Sequence, residues 1–240
     1  MGIAPRRRRD RELTMPGIGL LNEKPLHASL KEWYARPADR VEVEVDGFVI
    51  DIVRGDLLLE VQTGSLASIK AKLSTLARAH PVRLIYPIAQ EKWIVKLPKR
   101  DGDPPTRRKS PRRGRAEDLF REMVSFPELL AHPHFALEVL LIREEEVRRY
   151  EHGRSWRRRG WVTAERRLLE VVEQRLFEEP ADWRALVPDD LRSFTARELG
   201  DAIGIRQPLA QRMAYCLRKV GVITVAGRRG RAHLYQLAGD

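Results

Sequence analysis

The chain has 240 residues, 42 % hydrophobic and 33 % charged, which is enough apolar material for one large or two ordinary domains; two are expected. Its 45 basic residues against 34 acidic ones leave a net charge of +11 and a pI near 10.2, pointing to a polyanionic partner, nucleic acid first of all. A lone Cys216 excludes an intramolecular disulfide and fits a reducing cytoplasm, and no uncharged stretch is long enough to span a membrane or serve as a secretion signal. A soluble, cytoplasmic protein without membrane contact is therefore expected.

Residues 1–18 carry Arg6 to Arg9, Pro5 and Pro16-Gly17, a basic polar tail that is either a solvated charge run or an arm for phosphate. The spacing of Leu26, Leu30, Trp33 and Tyr34 predicts an amphipathic helix that stops before Pro37, with Pro25 in its first turn and Glu23 at its start. Val41, Val43 and Val45 alternate with acids, as in a half-exposed strand, and Asp46-Gly47 predicts a hairpin into residues 48–53. A second turn at Arg54-Gly55-Asp56 returns the chain through residues 57–63. The later strands are apolar on both faces, so the sheet should be covered on both sides.

Those two apolar runs each hold an acid. A carboxylate inside a doubly covered strand is expensive unless paired or metal-bound, which marks Asp51 and Glu60 as functional candidates. Glu60 and Gln62, two apart, share a strand face that Asp51 could meet from the neighbouring strand. Three oxygen-bearing side chains would then hold a hard divalent cation, Mg2+ or Mn2+.

After Gly64, Ser65 reads as the N-cap of a helix whose buried stripe is Leu66, Ile69, Leu73, Leu76 and Ala77. Residues 82–88 and 93–97 read as two strands separated by a turn at Gln90-Glu91, and residues 98–115 as an exposed basic loop. Residues 116–131 look helical, 135–147 extended. His27, His80, His132 and His134 show no triad spacing, and no Gly-rich phosphate loop is present.

This order, with an acid on the second strand and Glu60-Val61-Gln62 on the third, resembles the PD-(D/E)XK nuclease superfamily, including the archaeal-type Holliday-junction resolvases, over roughly residues 19–98. The resemblance implies a three-layer α/β core of αβββαβ order, of the restriction-endonuclease kind, within residues 19–150. It also implies a Mg2+ site at Asp51 and Glu60, a third acid at Glu23, and Gln62 where the family usually has Lys. Gln62 can orient water but supplies no positive charge, so Lys70 or Lys72 is the candidate replacement. For Glu23 the alternative is an acid favoured by the helix dipole. Family members that cut both strands often pair, so a homodimer is an admitted arrangement.

In the last eighty residues a helix is predicted at 168–177 from its apolar periodicity. Thr195-Ala196-Arg197-Glu198 is a capping box for a helix that Gly204 stops, and Gln207-Pro208 opens another with a buried stripe of Leu209, Met213, Cys216, Leu217 and Val220. A hairpin with a basic tip, Gly227 to Arg231, follows. Residues 161–240 resemble a winged helix-turn-helix domain. The resemblance implies a recognition helix offering Gln207, Gln211, Arg212, Tyr215 and Arg218 to DNA, and a wing whose Arg228, Arg229 and Arg231 reach phosphates. Two rivals to a DNA endonuclease stay open: a DNA-binding regulator with a nuclease fold that does not cut, and an accessory module of a larger assembly.

Overall fold

The computed structural model describes residues 24–99 and 103–239 of the chain. Helix α1 (Pro25–Tyr34) starts on Pro25 and gives way to extended backbone at Ala35, ahead of Pro37. Strands β1 (Arg40–Val45) and β2 (Phe48–Arg54) form the expected hairpin: Asp46 and Gly47 take φ of 51° and 77°, as the tight turn between Val45 and Phe48 requires. Strand β3 (Leu57–Val61) pairs antiparallel with β2. Ser65 then accepts the N–H of Ala67 and opens a 3-10 turn at Leu66–Ile69 that runs into helix α2 (Lys70–Leu76).

Next comes a single strand where sequence spacing predicts two. Strand β4 (Val82–Lys96) is continuous, and Gln90-Glu91 is the site of a register shift between Ala89 and Glu91, not a turn. It lies parallel to β3. The basic loop is also more ordered than expected, since β5 (Thr106–Lys109) pairs with Trp93 to Lys96 of β4. The helix expected over 116–131 is broken into a 3-10 turn (Ala116–Leu119), a short α3 (Phe120–Met123) and a second 3-10 turn (Pro127–Ala131). Pro127 explains the break, because it pushes Phe126 out of helical geometry.

Strand β6 (Phe135–Tyr150) runs parallel to β4, and β7 (Trp161–Phe177) returns antiparallel to β6. The predicted helix at 168–177 is thus the second half of a strand, and residues 161–177 belong to the large sheet and not to the C-terminal unit. The sheet order is β1-β2-β3-β4-β6-β7, with β5 beside β4. Leu26 and Leu30 of α1 pack against Ile52, Leu59, Val61, Ile85, Leu140 and Ile142 in one cluster; α2, α3 and the chain beyond residue 177 pack into a second, larger one. A mixed sheet with helices against two apolar clusters is a mixed α/β fold.

The remainder comprises α4 (Pro180–Arg184), β8 (Ser193–Phe194), α5 (Ala196–Ile203), α6 (Gln207–Lys219), β9 (Ile223–Arg229) and β10 (Ala232–Leu237). Thr195 caps α5 with Glu198 in the expected box, and Gly204 ends it at φ 69°. β8, β10 and β9 form a small antiparallel sheet. This unit shares the core of the large sheet: Trp183 stacks on Phe177 with ring centroids 4.4 Å apart and meets Phe120 of α3 at 6.1 Å. Cys216 is fully buried in that core, and burial pushes its thiol up to about 12, far from a reactive thiolate. Among the described residues no helix is long and apolar enough to cross a membrane.

Candidate functional site

The β2–β3 ladder runs Arg54↔Leu57, Val53↔Leu58, Ile52↔Leu59 and stops there; the next residues along are Asp51 and Glu60. Their side chains take over where the ladder ends. Asp51 Oδ2 accepts the N–H of Val61 at 2.8 Å, and Glu60 Oε1 lies 3.4 Å from the N–H of Asp51. The β1 side is interrupted at the same level: between the pairs Val41↔Ile52 and Val43↔Ile50 sits Glu42, with φ of 53°. Two carboxylates therefore occupy the point where the strands part, Glu60 almost wholly buried and Asp51 partly so.

Two basic side chains, from different helices, meet them. His27 of α1 places Nε2 3.3 Å from Asp51 Oδ2, and Lys72 of α2 places Nζ 2.6 Å from Glu60 Oε1 while donating to the carbonyl of Val49. Burial and then the adjacent Asp51 charge push the Glu60 carboxyl up to about 7, outweighing Lys72. Burial acts on Asp51 in the same direction, but the hydrogen bond and charge of His27 outweigh it and hold Asp51 below its ordinary value. Neighbouring carboxylates with proton affinities driven apart are a frequent mark of a functional site.

Of the residues singled out by sequence, Asp51, Glu60 and Lys72 converge. Lys70 does not, because its Nζ is spent on the carbonyl of Ser125. Gln62 continues the pairing with β4 through its N–H to Ile85, and its side-chain amide donates to the carbonyl of Ser65 and to Ser68 Oγ. That pins its nitrogen to the following loop. Glu23 lies outside the described residues. Among the described residues no three His, Cys, Asp or Glu side chains converge in ligand geometry, so the site brings two carboxylates together and not three acids. His27 was missed by a search for triad spacing; its position beside Leu26, on the helix face turned to the sheet, was the available signal.

The C-terminal candidates are solvent-facing. Gln207, Gln211, Arg212, Tyr215 and Arg218 are exposed on α6, opposite the buried Leu209, Met213, Cys216 and Leu217. Arg228, Arg229 and Arg231 are exposed on the β9–β10 hairpin, the first two within β9 and only Arg231 in the turn. Arg229 is engaged by Glu198 of α5.

The family model of a domain of unknown function, DUF8091, matches residues 24–178, from the residue before α1 to the residue after β7. The chain belongs to this family. An uncharacterized protein of Treponema pallidum (strain Nichols) is 30 % identical over 225 residues, 91 % of this chain and 87 % of that protein, so the likeness extends past the DUF8091 domain into the C-terminal unit. No solved structure matches the chain. The DUF8091 domain holds His27, Asp51, Glu60, Gln62 and Lys72; α6 and the basic hairpin lie beyond it.

Proposed function

We propose that the protein is a Mg2+- or Mn2+-dependent DNA endonuclease of the PD-(D/E)XK kind, docked on DNA by a winged C-terminal unit. The observation that carries this reading is the pair Asp51 and Glu60 at the opening of the β2–β3 ladder, with Lys72 from the next helix against Glu60. Lys72 supplies the positive charge that Gln62 lacks, from a different element. The donors suit the ion: two carboxylates crowded enough to raise Glu60 are relieved by a divalent cation, and hard cations prefer oxygen.

Asp51 and Glu60 would hold such an ion. When bound, it would lower the pKa of a coordinated water and neutralise phosphate charge. Lys72 would keep Glu60 oriented and face the developing negative charge, Gln62 would orient water through its amide oxygen, and His27 would hold Asp51 ionised. The exposed stripe of α6 and the Arg-bearing hairpin would contact the duplex.

The test is incubation of purified protein with millimolar Mg2+ or Mn2+ on duplex, nicked, branched and single-stranded DNA. Asp51→Asn, Glu60→Gln and Lys72→Met should each lower cleavage by about 100-fold or more while binding persists, as for groups acting in the transition state. Cleavage of none of these substrates would overturn the enzyme. It would favour the second reading, a DNA-binding regulator, to which the Gln62 amide tied into its own loop lends support.

A further inference from the structure

Beyond the Asp51–Glu60 site the sheet continues as a long arm of β4, β6 and β7, and one face of it is unusually charged. Cross-strand pairing puts Ile94, Glu146 and Arg166 side by side, then Lys96, Arg148 and Thr163, then Tyr150 and Trp161. Residues two apart on a strand share this face, so Lys92 and Glu144 belong to it too. A cleft of about 550 Å³ lies over it, closed on the far side by the basic loop and α3. Its cations are Lys92, Arg112, Arg121, Arg148, Arg158 and Arg166, against three acids, Asp118, Glu122 and Glu146.

The floor of the cleft is built to hold cations in place. Glu144 is wholly buried and Glu146 nearly so. Lys92 Nζ is 2.8 Å from each of them, Arg166 Nε donates to Glu144 at 2.9 Å, and Arg148 Nε and Thr163 Oγ1 donate to Glu146 at 2.8 and 2.9 Å. Ion pairs at this depth add little stability over apolar packing. Their effect is to hold three long side chains in one geometry, which removes ordering entropy from any later anion contact. Arg112, Arg121 and Arg158 at the rim are exposed.

One end of the cleft abuts the loop after β3. Arg166 Nη1 donates to the carbonyl of Thr63, and Glu122 accepts from Ser65 Oγ and the N–H of Leu66. At the other end Tyr150 and Trp161 pack edge to face, with Lys96 4.5 Å from the Trp161 ring and Lys99 4.0 Å from that of Tyr150. From Glu144 to Tyr150 the arm extends roughly 20 Å at about 3.3 Å per residue. That equals about six base-pair steps of B-form DNA measured along the helix axis, at about 3.4 Å each.

We propose that this arm is a phosphate-backbone track along which a DNA strand lies as it leaves the Asp51–Glu60 site. The identity of the ligand rests on the nuclease reading; the track adds where the substrate runs, on the family domain and apart from α6 and the hairpin. A free nucleotide would use only one end of so long a face.

The test is anisotropy titration of full-length protein in EDTA with fluorescein-labelled duplex and single-stranded DNA over a range of salt. The variant Lys96→Gln/Arg112→Gln/Arg158→Gln removes the 3.6 Å contact of Arg158 with Glu146 but leaves Lys92, Arg148, Arg166 and Thr163 against the two buried acids. It should bind about 10-fold more weakly and lose about 2–3 from the log–log salt slope, at roughly 0.9 per phosphate contact. A loss on either DNA form supports the track and names the form that occupies it. A charge-matched control away from the arm, Arg40→Gln/Arg78→Gln/Arg192→Gln, should stay within about twofold of the parent. Equal losses for the two triples, or an unchanged arm variant, would overturn the track. Should the triple fail to fold by circular dichroism, Arg112→Glu/Arg158→Glu at two exposed positions replaces it under the same criteria. Cleavage is scored separately: a chain that never cuts but loses affinity in the arm variant keeps the track and loses the nuclease reading, and one that cuts with the arm variant unimpaired does the reverse.

Discussion

Replacing Glu60 by Gln should make the protein more stable at alkaline pH, the opposite of what removing half of a structural ion pair does. The Glu60 carboxyl is raised from 4.5 to about 7 by burial and by Asp51, and at about 1.4 kcal/mol per tenfold this is about 3 kcal/mol against its charged form. Between those two values the folded chain binds a proton that the unfolded chain has released, so stability falls as pH rises through the window, and above 7 the full penalty stands. Gln keeps the shape and removes the charge. The attraction of Lys72 for the ionised form is already inside that net shift, and Lys72 keeps the Val49 carbonyl at 2.6 Å. The net expectation near pH 8 is a gain of about 3 kcal/mol, shrinking to nothing near pH 4.5. Urea unfolding in EDTA at the two pH values measures it, with an unchanged denaturant slope as the check on two-state behaviour. Millimolar Mg2+ should then stabilise the parent and leave the variant unmoved. If Glu60→Gln is destabilised near pH 8, Glu60 is a structural partner of Lys72 and the argument from its burial fails.

Two further substitutions probe the scaffold. At Gly114 an added Cβ would lie 2.5 Å from the Ala89 carbonyl and 2.7 Å from Ile88 Cγ2, so Gly114→Ala should destabilise by about 2–3 kcal/mol as an overpacked contact, read as a lower thermal midpoint. Trp183→Ala opens a cavity between Phe177 and Phe120 and should cost about 3–5 kcal/mol, with the large sheet and the C-terminal unit still unfolding in one transition by calorimetry.

The parts legible in the sequence were those set by local chemistry. The Asp46-Gly47 turn, the Ser65 cap, the Thr195–Glu198 box and the Gly204 stop all stand where the residues put them. So does the meeting of Asp51 and Glu60, because apolar strands joined by short turns leave few registers. The error at β7 has a definite cause. Its pairing with β6 skips Leu169 and Val172, and each bulge adds a residue to the strand's period of two. Leu168 and Val171, which pack together toward α1, are thereby three apart, the spacing of a helix face. At β4 the polar Gln90-Glu91 imitates a turn, yet Glu91 is held by Lys109, Arg113 and Arg143 from other segments. Neither bulge nor long-range ion pair is visible in a local window. The same limit hid the cleft, whose floor joins residues of β4, β6 and β7 that are far apart in the chain.

The boundary between the two units is also a matter of packing and not of composition. The basic, Trp-bearing stretch near residue 156 leads into a strand that pairs with β6 along its whole length. A fragment beginning at 161 would carry an edge strand stripped of its sheet. Even a cut after Phe177 exposes Trp183, which is sandwiched between Phe177 of the sheet and Phe120 of α3. Leu209, Met213 and Leu217 of α6 belong to the same cluster as Phe120 and Met123, and Arg115 of the basic loop donates to the carbonyl of Gly204 at the end of α5. α6, the hairpin, the cleft and the carboxylate pair are thus held by one continuous core. Under the proposed function, a DNA strand held on α6 would meet a cleft whose position that core has already fixed.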